Sequence, residues 1–144
     1  PTSIMSGAIT LRVITPDSIV VDTTCDSVKF PGFDGGMGVL PRHAAMVAAL
    51  DDGELSWKGG EENGGTMFIA GGFAEVRNNT LRIVTQSGER ASEIDVDRAT
   101  EAAKRAQENL RAGSTLRESG EFDLMRAEHA MRRALMRQKI SKRS

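Results

Sequence analysis

Hydrophobic and polar residues alternate with a period of two through much of residues 1–88, a pattern typical of strands that bury one face. Short segments with this strand character follow one another along the chain, and turn-forming residues separate them. They lie at 9–13, 19–21, 27–30, 39–40, 46–50, 54–57, 67–70, 73–76 and 81–84. Short strands at such intervals predict an antiparallel sandwich or flattened barrel.

Glycine and other turn formers fill nearly every gap between these segments. The run 59–65, which contains Glu61 and Glu62 among its glycines, predicts the tip of a hairpin. A second glycine-rich run, 32–38, lacks the Gly-x4-Gly-Lys-Ser/Thr pattern that cradles phosphate. We therefore interpret that run as connections between strands.

The pattern changes at residues 86–88, and from Ile94 onward strong helix formers such as Ala, Glu, Arg and Lys dominate. Ser92 or Asp95 can cap the first helix, and the sequence Ala-Gly-Ser at 112–114 is expected to end it. A loop to Gly120 then leads to a second helix, whose inner face is formed by Leu124, Ala127, Met131, Ala134 and Leu135.

These two helices predict an αα-hairpin with a seam made largely of alanine. The expected architecture is an all-β N-terminal sandwich, a flattened antiparallel barrel, over residues 1–88, followed by an α-helical antiparallel hairpin over 89–144. Because alanine buries little apolar surface, we expect the hairpin to be weakly held and mobile.

Two segments of the helical half repeat one another. Each contains Asp-x-x-Arg-Ala, beginning at Asp95 and at Asp123, with a further arginine seven residues after the first. The arginines are Arg98, Arg105, Arg126 and Arg133. Seven residues make two helical turns, so two antiparallel helices would form a cationic surface that suits an anion. Alternatively, arginine recurs at this spacing by chance, because it is a good helix former.

Charge and composition exclude several classes of function. The 144-residue chain has a formal net charge of -1, which argues against a nucleic-acid binder. Residues 1–88 hold 6 basic and 10 acidic residues, whereas 89–144 hold 13 basic and 10 acidic ones. Cys25 is the single cysteine, and the two histidines lack the spacing of a zinc site. No nucleophile, base and orienting group can be assembled at motif positions, so we expect no enzyme active site.

Three motifs follow one another along the chain. They are Gly-Met-Gly-Val-Leu-Pro-Arg-His-Ala at 36–44, Ala-Gly-Gly-Phe-Ala-Glu-Val at 70–76 and Ile-Asp-Val-Asp-Arg-Ala at 94–99. In this order and at similar spacing they resemble the ε subunit of bacterial F-type ATP synthase, the equivalent of the mitochondrial δ subunit, over nearly the whole chain. The sequence departs from the family at Met37, where an acidic residue is common, and at Arg42, where glycine is common.

The resemblance implies a non-catalytic part of the rotor. In similar subunits the sandwich binds the γ subunit of the central stalk and rests on the c-ring, on the cytoplasmic face of the bacterial inner membrane. The residues that the resemblance places at the stalk and c-ring are Phe33, Asp34, Met37, Arg42 and His43. The partners implied are therefore γ, the c-ring and the α/β catalytic hexamer, and no nucleic acid.

The hairpin of similar subunits inhibits ATP hydrolysis. When it extends along γ, its basic second helix engages an acidic segment of a catalytic β subunit. The resemblance assigns this inhibitory contact to Arg126, Arg132, Arg133 and Arg137. When the hairpin folds down against the sandwich, turnover is permitted.

Some members of the family bind ATP on the folded hairpin, where the nucleotide acts as a regulatory ligand and no cofactor is required. The corresponding positions here are Glu89, Ile94, Asp95, Arg98, Arg105, Arg126, Arg133 and Arg137, while one expected arginine is replaced by Asn109. Guanidinium groups suit phosphate oxygens, and carboxylates can accept from hydroxyls or the adenine amine. The alternative function is a free-standing regulatory module that senses a nucleotide.

Overall fold

The computed structural model describes residues 8–115 and 120–143, with side chains at 8–111 and 125–143. The chain divides into two compact units, the first ending at Ala91 and the second beginning at Ser92. The strands are β1 (Ile9–Ile14), β2 (Ile19–Cys25), β3 (Ser27–Gly32), β4 (Gly35–Val39), β5 (Met46–Leu50), β6 (Gly53–Lys58), β7 (Gly65–Ile69), β8 (Gly72–Arg77), β9 (Thr80–Val84) and β10 (Gly88–Arg90). A 3-10 turn at Ala91–Glu93 precedes helices α1 (Val96–Thr115) and α2 (Gly120–Ser141).

The strands form one sheet that folds on itself as a sandwich. Their order is β10-β7-β6-β3-β5-β8-β9-β1-β2, and β4 pairs with β3 beside this path. All pairings are antiparallel except that of β1 with β9, which is parallel. The predicted fold class, an all-β sandwich followed by two helices, is confirmed, with this one parallel pair as the exception to antiparallel order.

The sandwich forms because one face of each strand is apolar. In β1, for example, Leu11 and Val13 are buried while Arg12 between them is exposed. The inward-facing residues of all the long strands meet in one core, which includes Leu11, Val13, Val21, Phe30, Leu55, Trp57, Met67, Leu81 and Ile83. This core makes the first unit a rigid body that can present its outer face to a partner.

Two predictions about connections were wrong. The glycine run 32–38 was interpreted as connections, but Gly35–Val39 forms strand β4, which pairs with residues 28–32 of β3. Residues 88–90 form β10, which pairs with β7, so the first unit extends three residues past the expected boundary at 88. Neither strand has an alternating side-chain pattern, because backbone pairing holds both of them. The sequence pattern therefore did not predict them. The predicted hairpin tip at 59–65 is confirmed as the turn between β6 and β7.

The first helix begins where one of the two predicted caps lies. The backbone N–H of Arg98 donates to the Asp95 carboxylate over 3.0 Å, and the Ala99 N–H donates to the Asp95 carbonyl. Asp95 is therefore the N-cap, and Ser92 lies in the preceding 3-10 turn. The helix continues through 112–114 to Thr115, so the predicted stop was wrong. Most of the predicted loop that follows lies outside the described residues.

The two helices pack along an alanine seam. Ala99 and Ala106 of α1 and Ala127 and Ala134 of α2 are buried, together with Ile140. The Gln138 side-chain amide of α2 donates to the Thr100 hydroxyl of α1 over 3.0 Å. Two contacting helices joined by four residues run antiparallel, and this bond fixes their register.

Candidate functional site

A row of apolar side chains crosses the outer face of the sandwich. Pairing registers place Ala49, Phe73, Val84, Ile14 and Ile19 side by side on β5, β8, β9, β1 and β2. Phe33 joins the row at its β5 end, because its N–H donates to the Ala49 carbonyl over 2.9 Å. At about 4.8 Å between strands, five strands give a row of roughly 20 Å. We name these six residues the apolar row.

The apolar row is accessible to a partner. Phe33 is 73% exposed, Ile19 58% and Phe73 40%. The next outward positions along four of these strands carry charges in matched pairs, with Arg82 3.5 Å from Glu75 and Arg12 3.4 Å from Asp22. Such exposed pairs add little stability. An apolar stripe edged by ordered charges is the composition of a protein docking surface.

The residues predicted to contact the stalk and c-ring lie on two loops. Phe33 and Asp34 form the tip of the β3–β4 hairpin, and Met37 follows in β4, where it is partly buried against the core. Arg42 has a positive φ of 67°, and its N–H donates to the Asn79 side-chain oxygen. His43 contacts the Ala44 carbonyl through Nδ1 at 2.8 Å. The positive φ at Arg42 explains why glycine suits this position in relatives of the resembled family.

Four arginines of the hairpin share one structural position. Arg98, Arg105, Arg126 and Arg133 each directly precede a buried alanine of the seam. Both helices are right-handed and they run in opposite directions. Residues that directly precede a seam alanine therefore lie on the same side of the hairpin, whichever helix they belong to. The predicted arginine face is therefore present, and Arg137, one turn after Arg133, lies on it as well. We name these five residues the arginine face.

The register divides the arginine face along its length. Arg105, five residues after Thr100, lies level with Arg133, five residues before Gln138. By the same register Arg98 and Arg126 lie at opposite ends, about 20 Å apart at 1.5 Å per residue. Arg98 and Arg126 therefore lie at different levels along the hairpin. Arg98 and Arg126 hold the same place in the two copies of the repeat. Because the helices are antiparallel and Arg105 lies level with Arg133, these two arginines lie in opposite directions from that level.

The repeated aspartates also differ in role. Asp95 lies outside α1 as its N-cap, whereas Asp123 lies within α2, and its side chain is outside the described residues. Around Arg126 and Arg133 the surface is concave, with a cavity of about 390 Å³ lined by Met125, Arg126, His129, Ala130 and Arg133. The cationic concavity thus lies on α2 near the middle and one end of the hairpin.

Arg132 is separated from the other three arginines of the predicted inhibitory contact. It follows Met131 on the opposite side of α2, where it lines a groove of about 410 Å³. The floor of the groove is apolar and its rim is charged, with Leu110, Glu128, Met131, Arg132, Leu135, Met136 and Lys139 as lining residues. Arg126, Arg133 and Arg137 lie on the arginine face, so the two surfaces can engage different partners.

Three predicted ATP contacts lie close in sequence to the boundary between the units at Ala91. Glu89 belongs to β10, opposite Phe68 of β7, and its carboxylate accepts from the Ser87 hydroxyl over 3.4 Å. Glu89 is therefore part of the first unit, although it was predicted within the helical half. Ile94 is buried and Asp95 caps α1. The motif positions Ile94 and Asp95 thus have structural roles in the helical unit in addition to any role toward a ligand.

Sequence reasoning missed a cluster at the end of the sandwich. Arg90, the last residue of β10, donates to both carboxylate oxygens of Glu62 at 2.6 and 3.2 Å. Its guanidinium lies 5.8 Å from the ring centre of Trp57, which is 2% exposed. The hydrogen bond from Arg90 lowers the pKa of Glu62. The cluster Glu62–Arg90–Trp57 holds β10 to the β6–β7 hairpin, one residue before the helical unit begins.

Other reactive groups are not arranged for catalysis. Burial, reinforced by neighbouring Asp26, raises the pKa of the Cys25 thiol to about 11, so the thiol stays protonated. Within 8–111 and 125–143, no three His, Cys, Asp or Glu side chains converge as metal ligands would. Among the described helices, none is both long and apolar enough to cross a membrane.

Comparison with known proteins identifies both units. The ATP synthase Delta/Epsilon chain beta-sandwich domain matches residues 8–91, and the long alpha-helix domain of the same chains matches residues 92–142. The ATP synthase epsilon chain of Nitratidesulfovibrio vulgaris (strain DP4) is 40% identical over 138 residues, covering 94% of this chain and 97% of the relative. That of Ligilactobacillus salivarius (strain UCC118) is 37% identical over 134 residues, covering 93% and 95%.

The fold also matches a solved structure. A chain in the cryo-EM structure of Euglena gracilis mitochondrial ATP synthase, containing OSCP, F1 and c-ring in one rotational state, superposes with a TM-score of 0.73 at 22% identity. The match covers 94% of this chain and 81% of that chain. The resemblance read from the three motifs is confirmed, and the chain belongs to the ATP synthase delta/epsilon chain family.

Proposed function

We propose that this chain is a non-catalytic rotor subunit in the central stalk of a proton-translocating F-type ATP synthase. The observation that carries the proposal is the match of both units, in order, to epsilon chains at 40% identity over 94% of the chain. The subunit is peripheral, on the cytoplasmic face of the bacterial plasma membrane. It joins γ to the c-ring and lies beneath the α/β hexamer.

The sandwich is the anchoring unit in this proposal. The apolar row supplies a long exposed surface on a rigid body, which fits a permanent partner such as γ. Asp34 at the hairpin tip, and the loop with Arg42 and His43, face the c-ring, while Phe33 lies where this surface meets the apolar row. No cofactor is needed for this coupling, because torque passes through packed surfaces.

The hairpin is the inhibitory unit. Its alanine seam buries little surface, so a modest gain of contacts elsewhere can displace it. Arg126, Arg133 and Arg137 on the arginine face attract an acidic segment of a catalytic β subunit. Arg132 contributes from the apolar groove on the opposite side of α2, which gives the extended hairpin a second contact.

Deletion and substitution test the two roles separately. Removal of residues from Ser92 onward should leave the sandwich bound to γ and raise ATP hydrolysis by the assembled complex. Phe73→Ala should weaken γ binding about tenfold or more, since a central aromatic anchor contributes about 2 kcal/mol. Arg77→Ala, which lies outside the apolar row on the same strand, is the matched control and should leave binding unchanged. Loss of assembly on deletion, or equal effects of the two substitutions, contradicts the assignment.

A second function, regulation by ATP, has support from one observation. The register brings Arg105 and Arg133 level on one face of the hairpin, within reach of a common polyphosphate. The proposal is that ATP binds there, with Arg126 and Arg137 on the α2 side and Arg98 towards the capped end of α1. Asp95, in the same unit as these arginines, remains a candidate acceptor for the hydroxyl or amine groups of the nucleotide.

Titration calorimetry with magnesium and ATP on the full chain tests this regulatory site. Arg105→Ala or Arg133→Ala should each weaken binding about tenfold or more, because a charge-assisted contact is worth about 1.5–3 kcal/mol. Arg132→Ala, the adjacent arginine on the opposite side of α2, should change binding less than twofold. Absence of saturable heat at millimolar ATP refutes the site. A free-standing nucleotide-sensing module would bind ATP but fail to co-purify with γ.

A further inference from the structure

Strand β4 is a free edge in the sandwich. Among the strands that the structure describes, β3 is its only partner, from Val28–Val39 to Gly32–Gly35. The opposite edge of β4 therefore carries backbone N–H and C=O groups without a strand beside them. Such an edge is a ready template for another polypeptide backbone.

The pairing phase identifies the residues whose polar groups face outward. Pro31 lies opposite Gly36 and has no N–H, so this pair cannot exchange two ladder hydrogen bonds and is of the non-hydrogen-bonded type. The Pro31 carbonyl instead accepts from Asp51 on the other side of β3, at 2.9 Å. Two residues along, the pair Lys29–Gly38 is of the same type. The outward N–H and C=O groups of β4 therefore belong to Gly36 and Gly38.

Neither the backbone conformation nor the packing of this chain requires glycine at these two positions. Their φ angles lie outside the left-handed region, and a Cβ would have nothing within 4 Å at Gly36 and only an ordinary contact at Gly38. Glycine inside a strand is destabilising relative to alanine, because it loses more conformational freedom on folding. Gly36 and Gly38 instead line an open cavity of about 650 Å³ on the outer face of β3, β4 and β6. Unsubstituted backbone at such a place is typical of a close approach by another backbone.

β4 also lacks the features that guard natural sheet edges. Its sequence Gly-Gly-Met-Gly-Val contains no charge and no proline, whereas edge strand β2 carries Asp22 and terminal strand β10 has three residues, two of them charged. An unguarded edge invites aggregation unless it is covered in the working assembly. The hairpin that carries β4 also carries Phe33, the end of the apolar row, so a chain docked at that end lies next to the first residues of β4.

We propose that the outer edge of β4 pairs with an extended backbone segment of the stalk partner that docks on the apolar row, through the amides and carbonyls of Gly36 and Gly38. This inference rests on the proposed function, because it assigns the partner as a subunit of the stalk. In such strand addition the main-chain hydrogen bonds contribute affinity, and the apolar row adds buried apolar contact.

Hydrogen exchange of the full chain, free and bound to γ alone, tests the pairing directly. The Gly36 and Gly38 amides should exchange rapidly in the free chain and at least about tenfold more slowly in the complex. Asp17, in the exposed turn after β1, is the control and should be unchanged. Rapid exchange at both glycines in a complex that forms overturns the inference and leaves the proposed function intact. Failure to form the complex overturns the proposed function, and concentration-dependent protection in the free chain identifies a second copy as the occupant instead.

A pair of substitutions tests the same edge without relying on exchange. Gly38→Pro removes the outward N–H while sparing the ladder to β3, because proline is tolerated at an edge whose N–H faces outward. It should weaken complex formation about tenfold and leave the thermal unfolding of the free chain within a few degrees. Gly38→Ala keeps the N–H and should bind within twofold of the natural chain. Equal affinity of the two variants refutes the pairing, and if Gly38→Pro fails to fold, the exchange measurement still decides.

Discussion

The two units of this protein differ in what fills their interiors. The sandwich buries branched and aromatic side chains such as Phe30, Leu55 and Trp57. Among the helix side chains that the structure describes, the buried ones are four alanines and Ile140. Because burial free energy scales with apolar area, a firmly packed sandwich and a weakly packed pair of helices can coexist in one chain. The difference also predicts that comparable substitutions will have unequal effects in the two units.

The largest effect should come from a cavity in the sandwich core. Leu81→Ala removes a side chain that is completely buried, which should lower the free energy of unfolding by about 2–5 kcal/mol. Urea unfolding followed by the fluorescence of Trp57, the single tryptophan, measures this loss. The hairpin should keep its helical signal at low urea. A loss below about 1 kcal/mol would show that the sandwich core is as loosely packed as the hairpin seam.

Overpacking the hairpin seam should have the next largest effect. Ala134→Leu introduces three carbon atoms where the natural side chain is completely buried, and such insertions cost about 1–3 kcal/mol. Exchange of the α1 and α2 amides should accelerate, while exchange in the sandwich stays unchanged. Ala130→Leu on the exposed side of the same helix is the matched control. If both variants exchange alike, the alanine seam is not what joins the helices.

Sequence periodicity predicted the parts of the fold that depend on side-chain burial. The alternation around Leu11, the turn at 59–65 and the cap at Asp95 each depend on local chemistry, and the structure confirms them. Residues 35–38 of β4 were not predicted as strand because their glycines carry no pattern, and β10 was missed because pairing with the distant β7 holds it. The stop at 112–114 was wrong because one glycine costs a helix only about 1 kcal/mol, which the rest of the helix can offset.

The candidate site was predictable in composition but not in arrangement. Seven-residue spacing correctly placed the arginines on one face, yet the register that separates Arg98 from Arg126 depends on the Thr100–Gln138 contact. Likewise, Phe73 and Ile19 lie far apart in sequence and become neighbours on the apolar row only through strand order. The usable signal was the presence of apolar residues at outward positions of the period-two pattern.

A smaller effect should follow removal of the helix cap. Asp95→Ala deletes the acceptor for the Arg98 N–H and should cost the hairpin about 1 kcal/mol, seen as faster exchange in the first turn of α1. Asp95→Asn keeps an acceptor oxygen and should recover most of this loss. Amide exchange in the sandwich should be unchanged by either substitution. Equal behaviour of the two variants would indicate that charge at the helix terminus, not the capping hydrogen bond, stabilises α1.

The smallest effect should be the response of the sandwich end to acid. Arg90 lowers the pKa of Glu62 below its ordinary value of 4.5, so the stabilisation is complete above that value and is lost as pH falls through the lowered pKa. Both side chains are about one third exposed, so solvent screening keeps the contribution small. Trp57 fluorescence should shift over this acid range as Arg90 is released from Glu62. Glu62→Gln should abolish the shift, whereas Glu61→Gln in the same turn should retain it; a shift that persists in Glu62→Gln would assign the transition to another carboxylate.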